Sequence, residues 1–358
     1  MPDLLSNAYP KLATRLQKLS FASIPTPIAR HTVWDGKNKR QVWVKHDDKT
    51  SELYGGNKVR KLEYVLQRAK ERGAQRIATF GAVGSNHALA TAILSSSCGF
   101  ECTCFLAHQK PTPNISRTLN MHLQLGTELL RWGGSVKQLE LFRRYIQGRH
   151  TWVVPLGGSS WLGVVGFVNA GLELASQIDD GLMIEPKRIY IANGTMGSVA
   201  GLALGLALAQ KAIDIHAIRV ADNRYTHPAV LARIMAKTTS MLHRLDASIP
   251  ADLADHVRVV WRDDFFAGGY AVVDAATTSA VETAKERFDL QLETTYTGKA
   301  FAALLADMQA DESLSDCLFW NTYSSAPLSV GNEAPVESAA LPHEFWRYFD
   351  EQRKPGTG

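Results

Sequence analysis

Strand-like and helix-like runs alternate along this chain almost to its end, and that alternation limits the fold more than any other feature. The strand candidates are QVWVKHD (41–47), RIATFGA (76–82), ECTCFLA (101–107), TWVVPLG (151–157), RIYIANG (188–194), IHAIRVAD (215–222) and CLFWNT (317–322). Helical spacing of apolar residues recurs between them, near 58–72, 86–98, 115–125, 162–178, 198–211, 228–244, 275–287 and 298–310. Strand, helix, strand at this spacing builds parallel sheets with right-handed crossovers. The predicted class is α/β: two domains with open, mostly parallel twisted sheets flanked by helices. Ligands of such sheets gather beyond the carboxyl ends of the strands. The residues just after each strand are therefore where chemistry is expected.

A chain of 358 residues suits two domains. The glycines and serines of PLGGSSWLG (155–163) make a hinge between a strand and a long helix. The expected division is a larger domain from 1–59 and 161–345, a smaller inserted domain at 60–160, and a C-terminal tail at 346–358. Net charge is +4, too small and too scattered for nucleic acid but compatible with a small anionic ligand. No apolar run approaches the ~18 residues of a membrane span, and the first residues lack the order of a signal peptide. Cys98, Cys102 and Cys104 match no zinc spacing, so they and Cys317 read as thiols, with no metal site expected. A reducing, cytoplasmic setting follows.

Three segments after strands, or at the starts of helices, carry the chemical signals. In LYGGNKVRKLEYVLQRAKERG (53–73), Val59, Leu62, Leu66 and Ala69 share one helical face, Asn57 is placed to cap the start, and Gly73 to end it. Lys58 then falls in the first turn, where the helix dipole and burial favour a neutral, nucleophilic amine. Lys61 and Lys70 read as solvated surface lysines. In RIYIANGTMGSVAGLALG (188–205), small residues between strand and helix let backbone N–H groups converge on a phosphate, with hydroxyls from Thr195 and Ser198. A tight packing turn and a dinucleotide loop are the alternatives. The spacing is not G-x-G-x-x-G, although Asp222 follows the next strand. In RIATFGAVGSNHALA (76–90), Ser85, Asn86 and His87 open a helix, suiting either simple N-capping or a carboxylate.

GGNKVRKLEY, GAVGSNHALA, NGTMGSVAGLALG and YTGKA, in this order and spacing, resemble one group of proteins. They are the pyridoxal-phosphate enzymes of the tryptophan-synthase-β fold (fold type II), in the D-cysteine desulfhydrase and 1-aminocyclopropane-1-carboxylate deaminase family. The resemblance runs from IPTPIAR (24–30) to about residue 330. It implies that Lys58 forms the Schiff base with pyridoxal 5'-phosphate. Gly194, Thr195, Met196, Gly197 and Ser198 would hold the phosphate, and Asn86 the phenolic oxygen. Tyr296 would stack on the ring and exchange a proton, and Thr297 would face the ring nitrogen. Ser85, Asn86, His87 and Tyr270 would hold the substrate, with Ser85 counted beside Lys58 and Tyr296 as catalytic. Threonine at 297, where the cyclopropane deaminases typically have glutamate, leans toward the desulfhydrase branch. The implied reaction is β-elimination from a small amino acid, D-cysteine first, giving pyruvate, ammonia and sulfide. Opening of a cyclopropane amino acid is the alternative, and a cofactor-binding protein without turnover is another. A nicotinamide oxidoreductase ranks last because it leaves Lys58 and Tyr296 unexplained. The family commonly forms dimers, so a homodimer is expected. The chain departs from the family pattern at Met196, a usual glycine, at Leu89, often arginine, and in WNTYSSAP (320–327), where Tyr323 and Ser324 replace two glycines.

Overall fold

A computed structural model describes residues 3–34, 39–112, 114–147, 150–325 and 340–350. Contacts divide the chain into two compact units, 1–64 with 159–326, and 65–158 with 327–358.

The larger unit is built on six strands: β1 (Ile28–Trp34), β2 (Lys39–Lys45), and, later in the chain, β7 (Arg188–Asn193), β8 (Asp214–Arg219), β9 (Val259–Arg262) and β10 (Cys317–Trp320). Their order is β1-β2-β10-β7-β8-β9. Only β1 and β2 pair antiparallel; the other neighbours are parallel. Side chains alternate across the sheet, and both faces are covered. Ile189, Ile191, Ile215, Ala217, Leu318 and Trp320 enter one core with the helices Val165–Asp179, Gly197–Leu208 and Pro228–Leu245. Val42, Val44, Tyr190, Ala192, Ile218 and Phe319 enter another with Ala275–Phe288 and Thr297–Ala310. Such two-sided burial is why these strands read as nearly continuous apolar runs.

The smaller unit holds β3 (Arg76–Ala82), β4 (Glu101–Ala107), β5 (Glu128–Arg131) and β6 (Thr151–Val154), all parallel, in the order β5-β4-β3-β6. Cys102 and Cys104 are buried free thiols of β4, packed with Ala88, Leu119 and Leu129. Phe80 and Phe105 stack at 5.2 Å, with Trp132 and Phe142 edge-on to both.

The α/β class and the mostly parallel sheets agree with the sequence reading. The strands β1, β5 and β9 and the helix Val136–Gln147 are additional to it. Contacts group residues 340–350 with the smaller unit, whereas the expected division put 340–345 with the larger domain and 346–358 in a C-terminal tail. Leu341, Phe345 and Tyr348 are buried in the smaller unit's core, and the Tyr348 hydroxyl hydrogen-bonds His108 Nδ1 at 3.0 Å. Among the described residues no helix is long and apolar enough to cross a membrane.

Candidate active site

The chain reaches Lys58 through a turn with no space for side chains. Gly56 has φ +91°, and a Cβ there would lie 2.7 Å from the Tyr323 carbonyl oxygen. The backbone N–H of Gly56 donates to Asp47 O (2.7 Å) and that of Asn57 to Thr322 O (3.2 Å). Gly55 N–H donates to Ser324 Oγ at 2.9 Å. The segment after β2 and the segment after β10 thus grip the turn from two sides.

The helix Lys58–Glu71 opens here, its residues through Tyr64 grouped with the larger unit and those from Val65 with the smaller. Its expected face, Val59, Leu62, Leu66 and Ala69, is fully buried. Asn57 was expected as its cap, but the side chain forms a bridge instead. Asn57 Oδ1 accepts from Lys58 Nζ (2.8 Å), while Nδ2 donates to Ser198 Oγ (2.9 Å). Desolvation lowers the Lys58 pKa to about 8, against an opposing pull from the Glu293 charge.

Two residues on, Arg60 is locked in a buried ion network. Its guanidinium donates to both Asp47 carboxylate oxygens (3.0 and 2.7 Å) and to Glu173 Oε2 (2.9 Å). Lys45 Nζ reaches the same glutamate and Gln177. Burial alone would raise the Glu173 carboxyl, but the charges of Arg60 and Lys45 hold it at about 2. Asp47 connects this network to the Lys58 turn, its carboxylate accepting from Arg60 and its carbonyl oxygen from the Gly56 N–H.

The loop between β7 and the helix Gly197–Leu208 bends at Met196, whose φ of 64° is left-handed. Gly197 N–H donates to Thr195 O (2.9 Å) and Ser159 Oγ (3.2 Å), and Ser159 Oγ stands 2.7 Å from Thr195 Oγ1. A Cβ on Gly197 would meet Ser159 Oγ at 2.5 Å and Lys61 Nζ at 3.2 Å. Lys61 is therefore not a surface lysine, as the sequence reading had it. It is 1 % exposed, its amine turned toward the loop, and its pKa is pushed well below the usual range by desolvation and then by the Lys58 charge.

Tyr296 precedes the helix Thr297–Ala310 and packs beside Gly194, where an added Cβ would lie 3.4 Å from Tyr296 Cε1. Its hydroxyl is 2.7 Å from that of Tyr270. Burial pushes the Tyr270 phenol up to about 12 and that of Tyr296 well above its ordinary value. Glu293 organises this helix start. Its Oε1 accepts from the backbone N–H of Tyr296 and Thr297 (2.8 Å each), and Oε2 from Thr295 N–H (2.7 Å). Thr297 is buried, with its hydroxyl 3.2 Å from Glu293 Oε1.

The smaller unit carries the remaining expected residues. Ser85 caps the helix Asn86–Ser97, its side chain accepting from Ala88 N–H at 3.2 Å. Asn86 is its first residue and half-buried. His87 turns inward: it is 4 % exposed, with Nε2 2.9 Å from Thr79 Oγ1, which itself donates to Val154 O (3.1 Å). This ring ties helix to sheet.

Within the larger unit, a chain of contacts therefore joins Lys58 to Ser198 through Asn57, and Gly194 to Tyr296 and Tyr270. The sequence reading missed Lys61, Ser159 and Glu293. Lys61 carried a signal, since three residues on a helix return to the face of Lys58. Ser159 comes from a remote segment and carried none.

The profile of the family described as Pyridoxal-phosphate dependent enzyme matches residues 19–322. The chain is 30 % identical over 314 residues to a D-cysteine desulfhydrase of Salmonella typhimurium, covering 82 % of this chain and 88 % of that protein. It is 29 % identical over 302 residues to one of Klebsiella pneumoniae, with the same coverage. Among solved structures, an ACC deaminase homologue is similar at a TM-score of 0.73 and 26 % identity, covering 91 % of this chain and 96 % of that one. A fungal L-serine ammonia-lyase from Rhizomucor miehei shares the fold at a TM-score of 0.58 and 20 % identity, over 85 % and 94 %.

Proposed function

Because the chain belongs to the pyridoxal-phosphate dependent enzymes, we propose that it is a lyase converting D-cysteine and water to pyruvate, ammonia and sulfide. The D-cysteine desulfhydrases it resembles support this substrate. The residues present fit the cofactor. Both amide atoms of Asn193, just before the glycine loop, are buried without a hydrogen-bond partner among the described residues. The space beside Gly197 is bounded by Ser159 Oγ and Lys61 Nζ, a donor set suited to a phosphate.

When bound, pyridoxal phosphate supplies an aldehyde that captures amines and a ring that delocalises an electron pair released at the α-carbon. Backbone N–H groups of residues 194–198, the hydroxyls of Thr195 and Ser198, and Lys61 would hold its phosphate. Lys58 would hold the aldehyde carbon, Tyr296 with Thr297 behind it would flank the ring, and Asn86 would serve the phenolic oxygen. Ser85 and His87 are assigned the substrate carboxylate by the resemblance, with Asn86 and Tyr270 on the substrate side. Lys58 Nζ, freed when the substrate amine takes its place, would accept the α-proton, a role its desolvated, lowered pKa suits. Tyr296, its hydroxyl 2.7 Å from that of Tyr270, would exchange a proton with the departing sulfur, and water would release the remaining carbon skeleton as pyruvate and ammonia.

The observation that supports this reading is the Lys58–Asn57–Ser198 bridge, which links a desolvated amine to the glycine loop. Borohydride treatment of the holoenzyme tests it: the cofactor is expected to be fixed on Lys58, and Lys58→Ala to bind it only reversibly. A label on another lysine, or no pyruvate and sulfide from D-cysteine, overturns the proposal. The similarity to the ACC deaminase homologue favours ring opening of 1-aminocyclopropane-1-carboxylate as a second reading, which 2-oxobutyrate release would reveal. The family resemblance supports a homodimer, testable by light scattering, and the free thiols support a reducing, cytoplasmic setting.

A further inference from the structure

Lys299 lies in the YTGKA segment but takes no part in the chemistry above. Its side chain is fully buried, an unusual place for an ammonium. Nζ donates to the carbonyl oxygens of Phe266 (2.7 Å) and Gly269 (3.3 Å), and stands 5.5 Å from the Phe266 ring centroid. The Arg219 guanidinium lies 3.9 Å from the same ring. Asp274 and Glu293 are the acidic groups near Lys299.

The turn it holds is one a free chain resists. Ala267 and Ala271 have φ of 58° and 56°, left-handed values that favour glycine, with Gly268 at 77° between them. Such a turn persists only where its surroundings over-determine it. Tyr270 sits inside it, with its hydroxyl 2.7 Å from Tyr296. Tyr296 in turn directly precedes the helix that carries Lys299. One helix start therefore fixes both partners: Glu293 holds Tyr296 by its backbone, and Lys299 holds the Tyr270 turn by its carbonyls.

We propose that Lys299 is a positioning residue that staples the 266–271 turn and so presents the Tyr270 hydroxyl to Tyr296. The proposal rests on the lyase reading for its kinetic consequence, but not for its structural one. The test uses the full-length protein with 3-fluorotyrosine, whose Tyr270 fluorine line is identified by Tyr270→Phe. In Lys299→Met the Tyr270 line is expected to move toward that of solvent-exposed fluorotyrosine, in cofactor-free protein and holoenzyme alike. In the holoenzyme, kcat/KM for D-cysteine is expected to fall about tenfold when Tyr270 is present and less than about twofold in the Tyr270→Phe background. An unmoved line, or an equal fall in both backgrounds, overturns the proposal. If the wild type forms no pyruvate, the lyase reading fails and the fluorine spectrum alone decides the staple. Should Lys299→Met not fold, Lys299→Gln, which keeps an N–H donor, is compared with wild type instead: its line is expected to stay closer to the wild-type line than to that of solvent-exposed fluorotyrosine, and wild-type kinetics with a displaced line overturns the proposal.

Discussion

Lys61 follows Lys58 by three residues on one helix, and the positive charge of Lys58 helps drive the proton from the buried Lys61 amine. Removing that charge with Lys58→Met is expected to raise the Lys61 pKa in cofactor-free protein. A nitrogen-15 lysine titration by NMR reads it directly. A Lys61 titration identical in wild type and variant would show that the two amines are not coupled.

The same desolvation gives the folded protein a pH signature. The Lys58 pKa drops from its ordinary 10.5 to about 8 on folding. Between these values the unfolded chain binds the extra proton, so stability rises with pH through that window. The penalty is fully present below pH 8 and gone above 10.5. Relative to Lys58→Met, the cofactor-free wild type should gain about 2 kcal/mol across it, partial exposure of the residue screening the rest. Urea unfolding of both proteins from pH 7 to 10.5 measures the difference, and parallel curves would refute it.

Glu173 behaves oppositely. Its folded pKa of about 2 lies below the ordinary 4.5, so its contribution is complete above 4.5 and lost as pH falls toward 2. Glu173→Gln leaves Arg60 and Lys45 buried with one counter-charge fewer and is expected to cost about 3–5 kcal/mol at neutral pH. Thermal melts of wild type and variant should converge as the solution is acidified. A constant gap would place the loss in packing instead.

Met196→Gly sets two effects against each other. Glycine relieves a left-handed φ of 64°, worth about 1–2 kcal/mol. It also removes a side chain only 3 % exposed in the core beside Val199 and Leu231, and such a loss costs about 2–5 kcal/mol. Packing wins, so the variant should be less stable by about 1–3 kcal/mol in chemical denaturation. A stabilised variant would mean that the methionine is poorly packed.

What the sequence disclosed follows from periodicity. Residues 188–193 alternate between two cores, and Val59, Leu62, Leu66 and Ala69 all reach the interior, so pattern alone found them. The polar IARHTVW of β1 and the four-residue β9 are edge strands paired on one side, where side chains need not be apolar. Lys61 escaped because a charged residue reads as exposed unless its partners are known. Leu341, Phe345 and Tyr348 fall at i, i+4 and i+7, a spacing that was legible but short. Ser159 meets Thr195 from 36 residues away, a contact no local pattern encodes.

The turn before Lys58 is held on one side mainly through main-chain atoms: Thr322 O receives the Asn57 N–H, and Tyr323 O fills the space above Gly56. Amino-acid identity at 322 and 323 is thereby decoupled from the posture of the Lys58 turn. A side chain at 322 or 323 can thus change without removing either contact, and the backbone leading to Lys58 need not move with it.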